Sequence, residues 1–401
     1  MKTRTLRTKV AVAGVGETTY FKHGDAPVPE FKLALTAILA ACADAGIAPK
    51  SIDGFASFGD DRNEASRLAT ALGLPELRHA SMVWGGGGGG TAGAVGQASA
   101  AIATGQADCI VVFRALAQGQ FVRYGQGGMA FNSGRPDQSV IAGDMAFPVP
   151  YGAISPAQRF AMKVRRFMKE HGVEQSALRA VALACYHHAQ SNPRALMYRK
   201  PLDAAAYDQS RWIVEPFHLY DSCMENDGAA AIVLVAGERA RDLPHPAAYV
   251  LAVAAGSGER HAAASHTAAP YATANFRAVA RRLYDMAGVT AQDVDVVQAY
   301  ENFTGGVMMA LAEHGFFEPH DANAFLTLDT LSAPHGRLPL NTSGGHLAEC
   351  YVHGMNLVIE AVRQIRGQSC NQVPRADVAL MIAGPMVTPV SSVLFGSEAT
   401  R

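Results

Sequence analysis

Short apolar runs alternate with amphipathic stretches along the first part of the chain. The runs VAVAGVG (10–16), SIDGFASFG (51–59) and ADCIVVF (107–113) have the length and composition of buried strands. Between them, EFKLALTAILAACADAG (30–46) has helical spacing and stops at a glycine, and a second helix is expected after the glycines at 85–90. Because strands alternate with helices, the pattern predicts a parallel sheet covered on both faces.

The pattern changes between about residue 115 and residue 212. The stretch 119–138 is rich in loop-forming residues, and amphipathic helices are expected at 155–172 and 177–193. The run ENDGAAAIVLVAG (225–237) returns to a core strand, and two prolines within 237–250 mark a boundary. We therefore expect a helical insertion within the first half of the molecule.

The second half of the chain repeats the order of elements of the first. The stretch DAGIAPKSIDGFASF (44–58) resembles MAGVTAQDVDVVQAY (286–300), since both predict a helix ending at Ala-Gly, a short turn, an aspartate and a strand. Coincidence is the alternative, because such short patterns recur in unrelated α/β proteins. Duplication is favoured, and it gives a first half at 1–114 and 213–240, an inserted domain at 115–212 and a second half at 241–401.

Composition narrows the class of protein. The chain has 401 residues, of which 49% are hydrophobic and 17% charged, and its formal net charge is −1. These values favour a well-packed protein with a large core and give no basic surface for nucleic acid. No apolar run approaches the roughly 18–20 residues of a membrane span. The six cysteines include no CxxC pair, so we expect no metal site and reduced thiols in a cytoplasm.

Three segments carry a resemblance to a known family. They are YENFTGG (300–306), NTSGGHLAECYVHGMN (341–356) and DGAAAIVL (227–234). In these segments the chain resembles the thiolase superfamily, and within it the lipid-transfer-protein branch with the sterol carrier protein X-type thiolases. The resemblance implies an α/β thiolase fold, a duplicated five-layered αβαβα architecture with a helical loop domain inserted in the first half.

The residues of thiolase chemistry are missing at the matching positions. The position of the nucleophilic cysteine falls at Gly88, and that of the second cysteine falls near Met381. Tyr351 stands where thiolases have the histidine of their Gly-His-Pro segment, and Tyr300 opens the segment that is Asn-Glu-Ala-Phe in thiolases. We expect the glycines around Gly88 and Gly89 to leave room in the pocket and to turn N–H groups toward a thioester oxygen, with a flexible turn as the alternative.

Two tyrosines without a cysteine fit retro-aldol cleavage of a 3-hydroxyacyl-CoA. That reaction needs a base, an acid and stabilisation of an enolate, whereas Claisen cleavage needs a thiolate. Members of this branch that lack the cysteines act as aldolases in steroid side-chain degradation with paired tyrosines, so the resemblance implies Tyr300 and Tyr351 as acid and base in either order. Tyr351 is expected near the start of a helix over about 347–365, where the helix dipole stabilises a phenolate. Buried tyrosines bonded to the backbone are the alternative.

Other residues of these motifs are candidates for substrate binding or support. His346 and His353 either tune Tyr351 or have a solvent-facing or capping role, and Glu301 either orients a proton carrier or forms an ion pair beneath the site. Cys350 is expected to pack rather than to react, and the histidines of YHH (186–188) lack a third metal ligand. The full support set is Gly88, Gly89, Glu301, Asn341, Gly344, Gly345, His346 and His353. Weaker candidates for coenzyme A phosphates are Arg123, Arg159, Lys163, Arg165 and Arg166.

Three functions remain open at this point. The first is an acyl-CoA lyase acting on a steroid or other bulky side chain, the second a non-catalytic acyl-CoA or lipid-binding scaffold, and the third an acyltransferase of the acetyl-CoA acetyltransferase type with Cys350 as an unusual nucleophile. The resemblance implies a homodimer paired through the first-half sheet and a small OB-fold partner with a zinc ribbon, in an α2β2 assembly. No cofactor is expected, since the coenzyme A thioester is the substrate.

Overall fold

The computed structural model describes residues 5–59, 61–85, 87–121, 146–258 and 271–401. Its strands are β1 Val10–Glu17, β2 Phe21–Lys22, β3 Gly54–Phe58, β4 His79–Val83, β5 Cys109–Ala117, β6 Trp212–Val214, β7 Phe217–His218, β8 Asn226–Ala236, β9 Ala248–Gly256, β10 Val296–Ala299, β11 Val378–Ala383 and β12 Val390–Gly396. Its α-helices are α1 Glu30–Ala45, α2 Ala65–Leu72, α3 Thr91–Ala103, α4 Pro156–His171, α5 Gln175–Ala189, α6 Ala204–Gln209, α7 Arg277–Ala287, α8 Thr304–Glu313, α9 Ala322–Phe325, α10 Leu328–Leu331 and α11 Met355–Arg366.

The two halves of the chain share the same local order of elements. Helix α1 ends at Gly46 and helix α7 at Gly288, and both glycines have φ 64° in the left-handed region that stops a helix. A 3₁₀ turn follows each helix, at Pro49–Ser51 and at Ala291–Asp293, and leads into β3 or β10. The repeat predicted from the sequence is therefore present in the structure.

A mixed sheet runs through both halves in the order β10-β11-β12-β9-β1-β8-β5-β3-β4, and β2 pairs with the start of β8. The halves join where β1 pairs with β9, through Ala11 with Tyr249 and Val12 with Ala248. Strand β3 is parallel to β4 and β5, and β10 is parallel to β11, whereas β8, β1, β9 and β12 run antiparallel to their neighbours. The expected wholly parallel sheet is therefore wrong, because β8 in the first half and β12 in the second run antiparallel to the strands on both sides of them.

The helices form three layers about the strands. Helix α3 packs on β3, β4 and β5 of the first half and on β9 and β12 of the second, and α11 likewise contacts β1, β8, β10 and β11. Helix α1 covers the other side of β1, β8 and β5, and α7 covers β9 and β12. This arrangement confirms the five-layered αβαβα fold, with α3 and α11 in the central layer between strands of both halves.

The inserted region is helical where the structure describes it. Helix α4 begins at a capping box in which Ser155 and Gln158 bond each other's backbone, and α5 follows directly. Helix α5 packs against α8 and against a π-helical turn, Gly345–Glu349. Most of the loop-rich stretch 119–138, with Arg123, lies outside the described residues. The domain boundaries themselves stay a prediction. Among the described residues, no helix has both the length and the apolar character needed to cross a membrane.

Candidate active site

Two tyrosine hydroxyls meet inside the molecule. Tyr300 Oη lies 2.7 Å from Tyr351 Oη, and 3% and 9% of the two residues are exposed. Tyr300 directly follows β10, and its backbone N–H donates to the carbonyl oxygen of Ile382 on the parallel strand β11 at 2.9 Å. A residue at the carboxyl end of a parallel strand is held by a rigid scaffold, and such positions commonly carry function. The structure thus brings the two candidate catalytic residues into direct contact.

Tyr351 lies outside the helix that the sequence predicts for it. Helix α11 begins at Met355, and the residues 345–349 form the separate π-helical turn. His353 at φ 46° and Gly354 at φ 92° have left-handed backbone conformations, so a continuous helix over about 347–365 is not formed. Tyr351 therefore precedes α11 instead of lying near the start of a helix over about 347–365, and stabilisation of its phenolate by a helix dipole stays a prediction.

The glycine run packs against Tyr300. Residues Gly87–Gly90 form a 3₁₀ turn that leads into α3. A β-carbon on Gly88 would overlap the Cε2, Cζ and Oη atoms of Tyr300, and one on Gly89 would overlap the carbonyl oxygen of Pro389. The expectation that these glycines leave open room is wrong at Gly88, because the ring of Tyr300 fills the space of the missing side chain. Gly86 lies outside the described residues.

Thr91, at the start of α3, links the glycine turn to the segment that carries Tyr351. Its hydroxyl lies 2.7 Å from the carbonyl oxygen of Gly88 and 2.5 Å from that of His353. These contacts fix the turn and the loop around Tyr351 relative to each other, although they join residues from the two halves of the chain.

Both candidate histidines are buried beside the tyrosine pair. The ring centroid of His346 lies 4.4 Å from that of Tyr300 and 5.0 Å from that of Tyr351, with edge-on geometry. The ring of His353 lies 5.1 Å from Tyr351. Burial lowers the pKa of His346 to about 3 and that of His353 well below its usual value, the latter helped by the positive charges of Arg114 and Arg62. A solvent-facing role is therefore wrong for both, and both imidazoles are neutral near pH 7.

Glu301 lies beneath the pair without a cationic partner among the contacts described. Its Oε2 accepts the backbone N–H of His346 at 3.0 Å, and its Oε1 accepts the Sγ–H of Cys185 at 3.2 Å. Burial raises the pKa of Glu301 to about 7, partly offset by these hydrogen bonds. The His346 Nδ1 atom is 3.6 Å from Oε2, but the imidazole is neutral, so the expected ion pair is replaced by hydrogen bonds to neutral groups.

The hydrogen bonds around His346 assign its tautomer. Asn356 donates through Nδ2 to Glu349 Oε2 at 3.3 Å and to the carbonyl oxygen of Cys350 at 3.2 Å, which orients its amide. Asn356 Oδ1 therefore faces His346 Nε2, 3.2 Å away, and Nε2 carries the ring hydrogen. His346 Nδ1 then presents a lone pair toward Glu301, which favours a protonated carboxyl group there.

The turn residues of the support set have strained or crowded backbones. Asn341 has φ 53°, Gly344 has φ 111° and Gly345 has φ 57°. A β-carbon on Gly345 would overlap the carboxyl group of Glu301, so position 345 requires glycine for space as well as for conformation. Asn341 also bonds the residue preceding Tyr300, and a role of these turn residues beside a substrate pocket stays a prediction.

The surroundings of Cys350 and of the YHH segment favour structural roles over catalysis or metal binding. Cys350 is fully buried, and burial together with Glu349 and Glu17 raises its pKa well above the usual range for a thiol. A thiol held in this way is a poor nucleophile, which agrees with the packing role expected for it. In YHH (186–188), Nε2 of His188 accepts the backbone N–H of Ala333, and the described residues contain no cluster of potential metal ligands.

Four of the five basic candidates for coenzyme A lie on one helix, and the fifth, Arg123, lies outside the described residues. Arg159, Lys163, Arg165 and Arg166 belong to α4, and the ammonium group of Lys163 lies 5.5 Å from the ring centroid of Tyr271. Arg166 pairs with Glu170 on the same helix. Nothing in these contacts links the helix to the tyrosine pair, so a coenzyme A contact there stays a prediction.

Sequence reasoning missed Asn226, which directly contacts Tyr351. Asn226 is the first residue of β8, and its Oδ1 accepts the backbone N–H of Tyr351 at 2.5 Å. The residue immediately precedes the motif DGAAAIVL, so its position beside that motif was the available signal. Its contact partner, however, is distant in the sequence and only the fold reveals it.

Comparisons with protein families, curated proteins and solved structures find relatives of the same kind. Residues 256–396 match the family described as thiolase C-terminal domain-like. The chain is 40% identical over 395 residues to a steroid side-chain-cleaving aldolase from Thermomonospora curvata, a match that covers 97% of this chain and 98% of the relative. It is 37% identical over 390 residues to a 17-hydroxy-3-oxo-4-pregnene-20-carboxyl-CoA lyase from Mycobacterium tuberculosis, covering 97% and 99%. A solved Ltp2-ChsH2(DUF35) aldolase superposes with TM-score 0.90 and 37% identity over 98% and 99% of the chains.

Proposed function

Because the chain belongs to the thiolase-like family of steroid side-chain-cleaving aldolases and acyl-CoA lyases, and is therefore a carbon–carbon lyase, we propose that Tyr300 and Tyr351 perform its retro-aldol chemistry. The observation that carries this proposal is the 2.7 Å contact between their buried hydroxyls. The resemblance places the thiolase cysteines at about Gly88 and near Met381, so we expect no nucleophile for an acyl-enzyme there.

The reaction begins at the C3 hydroxyl of a 3-hydroxyacyl-CoA. One tyrosine, as a phenolate, takes the hydroxyl proton, and the oxygen electrons form the carbonyl group of the departing ketone or aldehyde. The C2–C3 bond breaks, and its electron pair passes into the thioester as an enolate. A proton delivered to C2 then gives the shortened acyl-CoA.

The contact between the hydroxyls suits the proton balance of this reaction. The proton removed from the C3 oxygen equals the proton gained by C2, so the cleavage consumes no proton overall. A hydrogen bond between Tyr300 Oη and Tyr351 Oη allows the first tyrosine to pass its proton to the second, which delivers it to C2. Either residue fits either role, because the contact is symmetric in its two oxygens.

The substrate we propose has a bulky, steroid-like portion beyond C3. The name of the Mycobacterium tuberculosis relative places a hydroxyl on C17 and the carboxyl-CoA on C20, which is the 3-hydroxyacyl-CoA arrangement. We also propose that the active form is a homodimer that binds a small OB-fold subunit with a zinc ribbon, giving α2β2. The supporting observation is the aldolase of 37% identity whose structure is described as Ltp2 with ChsH2(DUF35).

The test is co-expression of the chain with a DUF35-type protein, followed by assay of a steroid-ring 3-hydroxyacyl-CoA for the ketone and the shortened acyl-CoA. We expect Tyr300→Phe and Tyr351→Phe each to lower kcat by roughly 10²–10⁴-fold, the range of general acid–base catalysis. Tyr284→Phe is the matched control, because the Tyr284 hydroxyl has no hydrogen-bond partner among the described residues. Turnover that survives both test substitutions contradicts the mechanism, and absence of turnover with any partner supports the scaffold function.

A further inference from the structure

The amide nitrogen of Asn226 is a buried hydrogen-bond donor without a partner in the part of the chain that the structure describes. The residue is fully buried, at the start of β8. An unsatisfied buried N–H group is costly, and each such group in a native protein calls for a specific explanation, such as a bound ligand or an ordered water. The unpaired Nδ2 atom therefore needs an explanation.

The orientation of this amide is fixed by Tyr351. The backbone N–H of Tyr351 can only donate, so the atom of Asn226 that faces it at 2.5 Å must be the carbonyl oxygen Oδ1. The other atom of the same group is then Nδ2, which carries two hydrogens beside the loop of Tyr351. A flipped amide would place two donors against each other.

The strand places Asn226 on the face of the sheet that carries the tyrosines. Side chains alternate along a strand, so Asn226 and Asp227 point to opposite faces. The carboxylate of Asp227 accepts the backbone N–H groups of Gly24, Ala26 and Gly119 on the other side. Asn226 therefore shares the face of Tyr351, toward the central layer of the fold.

We propose that Asn226 Nδ2 donates a hydrogen bond to the thioester oxygen of the acyl-CoA and stabilises the enolate formed when the C2–C3 bond breaks. This inference rests on the proposed function, in which negative charge gathers on that oxygen. The neighbouring imidazoles of His346 and His353 are neutral and supply no positive charge to the enolate. A neutral amide can donate a hydrogen bond to the enolate without protonating the phenolate base. Asn226 then has two roles, since Oδ1 positions Tyr351 while Nδ2 binds the substrate.

Two substitutions separate these roles. Asn226→Asp retains an oxygen for the Tyr351 N–H but has no donor when ionised, whereas Asn226→Ala removes both groups. Loss of one oxyanion donor lowers kcat by roughly 10²–10³-fold, and we expect that loss in both variants at pH 8. On lowering the pH, kcat of the aspartate variant should rise relative to the alanine variant, because a protonated carboxyl group donates again. An aspartate variant with wild-type kcat at pH 8 overturns the proposal, since Asn226 then only positions Tyr351.

A binding measurement tests the donor without catalysis. The shortened acyl-CoA product and its thioether analogue, which has CH₂ in place of the carbonyl group, are titrated by calorimetry against the complex with the partner subunit. We expect the wild type to bind the thioester about 10-fold more tightly than the thioether and Asn226→Ala to bind the two alike. Asn323→Ala is the matched control, because Oδ1 of Asn323 accepts the backbone N–H of Glu174 and its Nδ2 donates to the carbonyl oxygen of Gly172, apart from the tyrosine pair. An unchanged preference in Asn226→Ala overturns the proposal, while the tyrosine substitutions test the proposed function separately.

Discussion

The side-chain amide of Asn341 forms hydrogen bonds with both backbone polar groups of Ala299. Its Oδ1 accepts the Ala299 N–H at 2.6 Å, and its Nδ2 donates to the Ala299 carbonyl oxygen at 2.9 Å. Ala299 is the last residue of β10 and immediately precedes Tyr300. Asn341 is therefore a positioning residue for the Tyr300 hydroxyl, since it fixes the backbone from which that side chain starts.

Replacing Asn341 by glycine should lower kcat strongly while lowering the free energy of unfolding only modestly. Glycine tolerates the φ of 53° at this position but lacks both hydrogen bonds to Ala299. A misplacement of about 1 Å at a reacting group is sufficient for roughly 100-fold loss of rate. Steady-state kinetics and thermal unfolding of Asn341→Gly measure the two effects. Asn323→Gly provides the same loss of two side-chain bonds on a distant surface, and an equal fall in kcat there would contradict the positioning role.

Gly88→Ala should destabilise the protein through Tyr300. A methyl group at position 88 overlaps the tyrosine ring, and overpacking of this kind costs about 1–3 kcal/mol. In a Tyr300→Ala background the same substitution should cost much less, so a double-mutant cycle in denaturant unfolding gives the coupling between the two positions. Gly93→Ala is the control, because its β-carbon would lie 3.3 Å from Cγ2 of Val83 and 3.6 Å from Cβ of Ala255, a tight contact without overlap. Additive effects of the Gly88 and Tyr300 substitutions would show that the ring does not occupy this space.

Glu301→Gln should change the pH dependence of stability. The folded protein holds the Glu301 proton up to a pKa of about 7, above the ordinary value of 4.5 for a glutamate, so the wild type loses stability as the pH rises between these values. Glutamine carries no such proton and no such dependence. Relative to the wild type, the variant should therefore gain roughly 3 kcal/mol between pH 4 and pH 8, at about 1.4 kcal/mol for each pKa unit. Denaturant unfolding at several pH values measures the gain, and a constant difference would place the Glu301 pKa at its unfolded value.

Cys350 should remain unmodified under conditions in which Cys370 reacts. The buried thiol has a pKa well above the usual range, whereas Cys370 is exposed. Brief treatment of the native protein with iodoacetamide, followed by peptide mass spectrometry, should show label on Cys370 and not on Cys350. Cys350→Ala should keep its lyase activity, and intact mass measured during turnover should show no acyl adduct. An acyl group on Cys350 would instead support the acyltransferase alternative.

Local features of the fold could be predicted from the sequence. Helix ends at Gly46 and Gly288, the buried strands and the duplicated order of elements depend on short-range patterns, and all are present. The antiparallel directions of β8 and β12 could not be predicted, because strand direction depends on pairing with strands that are distant in the chain. The start of α11 was also misplaced, since the left-handed conformation of His353 has no clear signal in its residue type.

Sequence motifs identify the residues of the candidate site, but they do not reveal how these residues interact. The resemblance selected Tyr300 and Tyr351, yet only the fold shows that their hydroxyls touch. The pKa of Glu301 is likewise not predictable from the sequence, because burial raises it and no charged partner is present in its described contacts. Such properties arise from packing between segments that are far apart in the chain.

A side chain at position 88 and the aromatic ring at position 300 compete for the same space. This competition limits how the site could have arisen from one with a side chain at position 88. If an ancestor of this chain had a thiol at position 88, the ring could take its present place only after, or together with, the loss of that thiol. Cysteine introduced at position 88 alone would therefore place its side chain against the ring of Tyr300. Restoring acyl transfer to this scaffold would require simultaneous exchanges in both repeats.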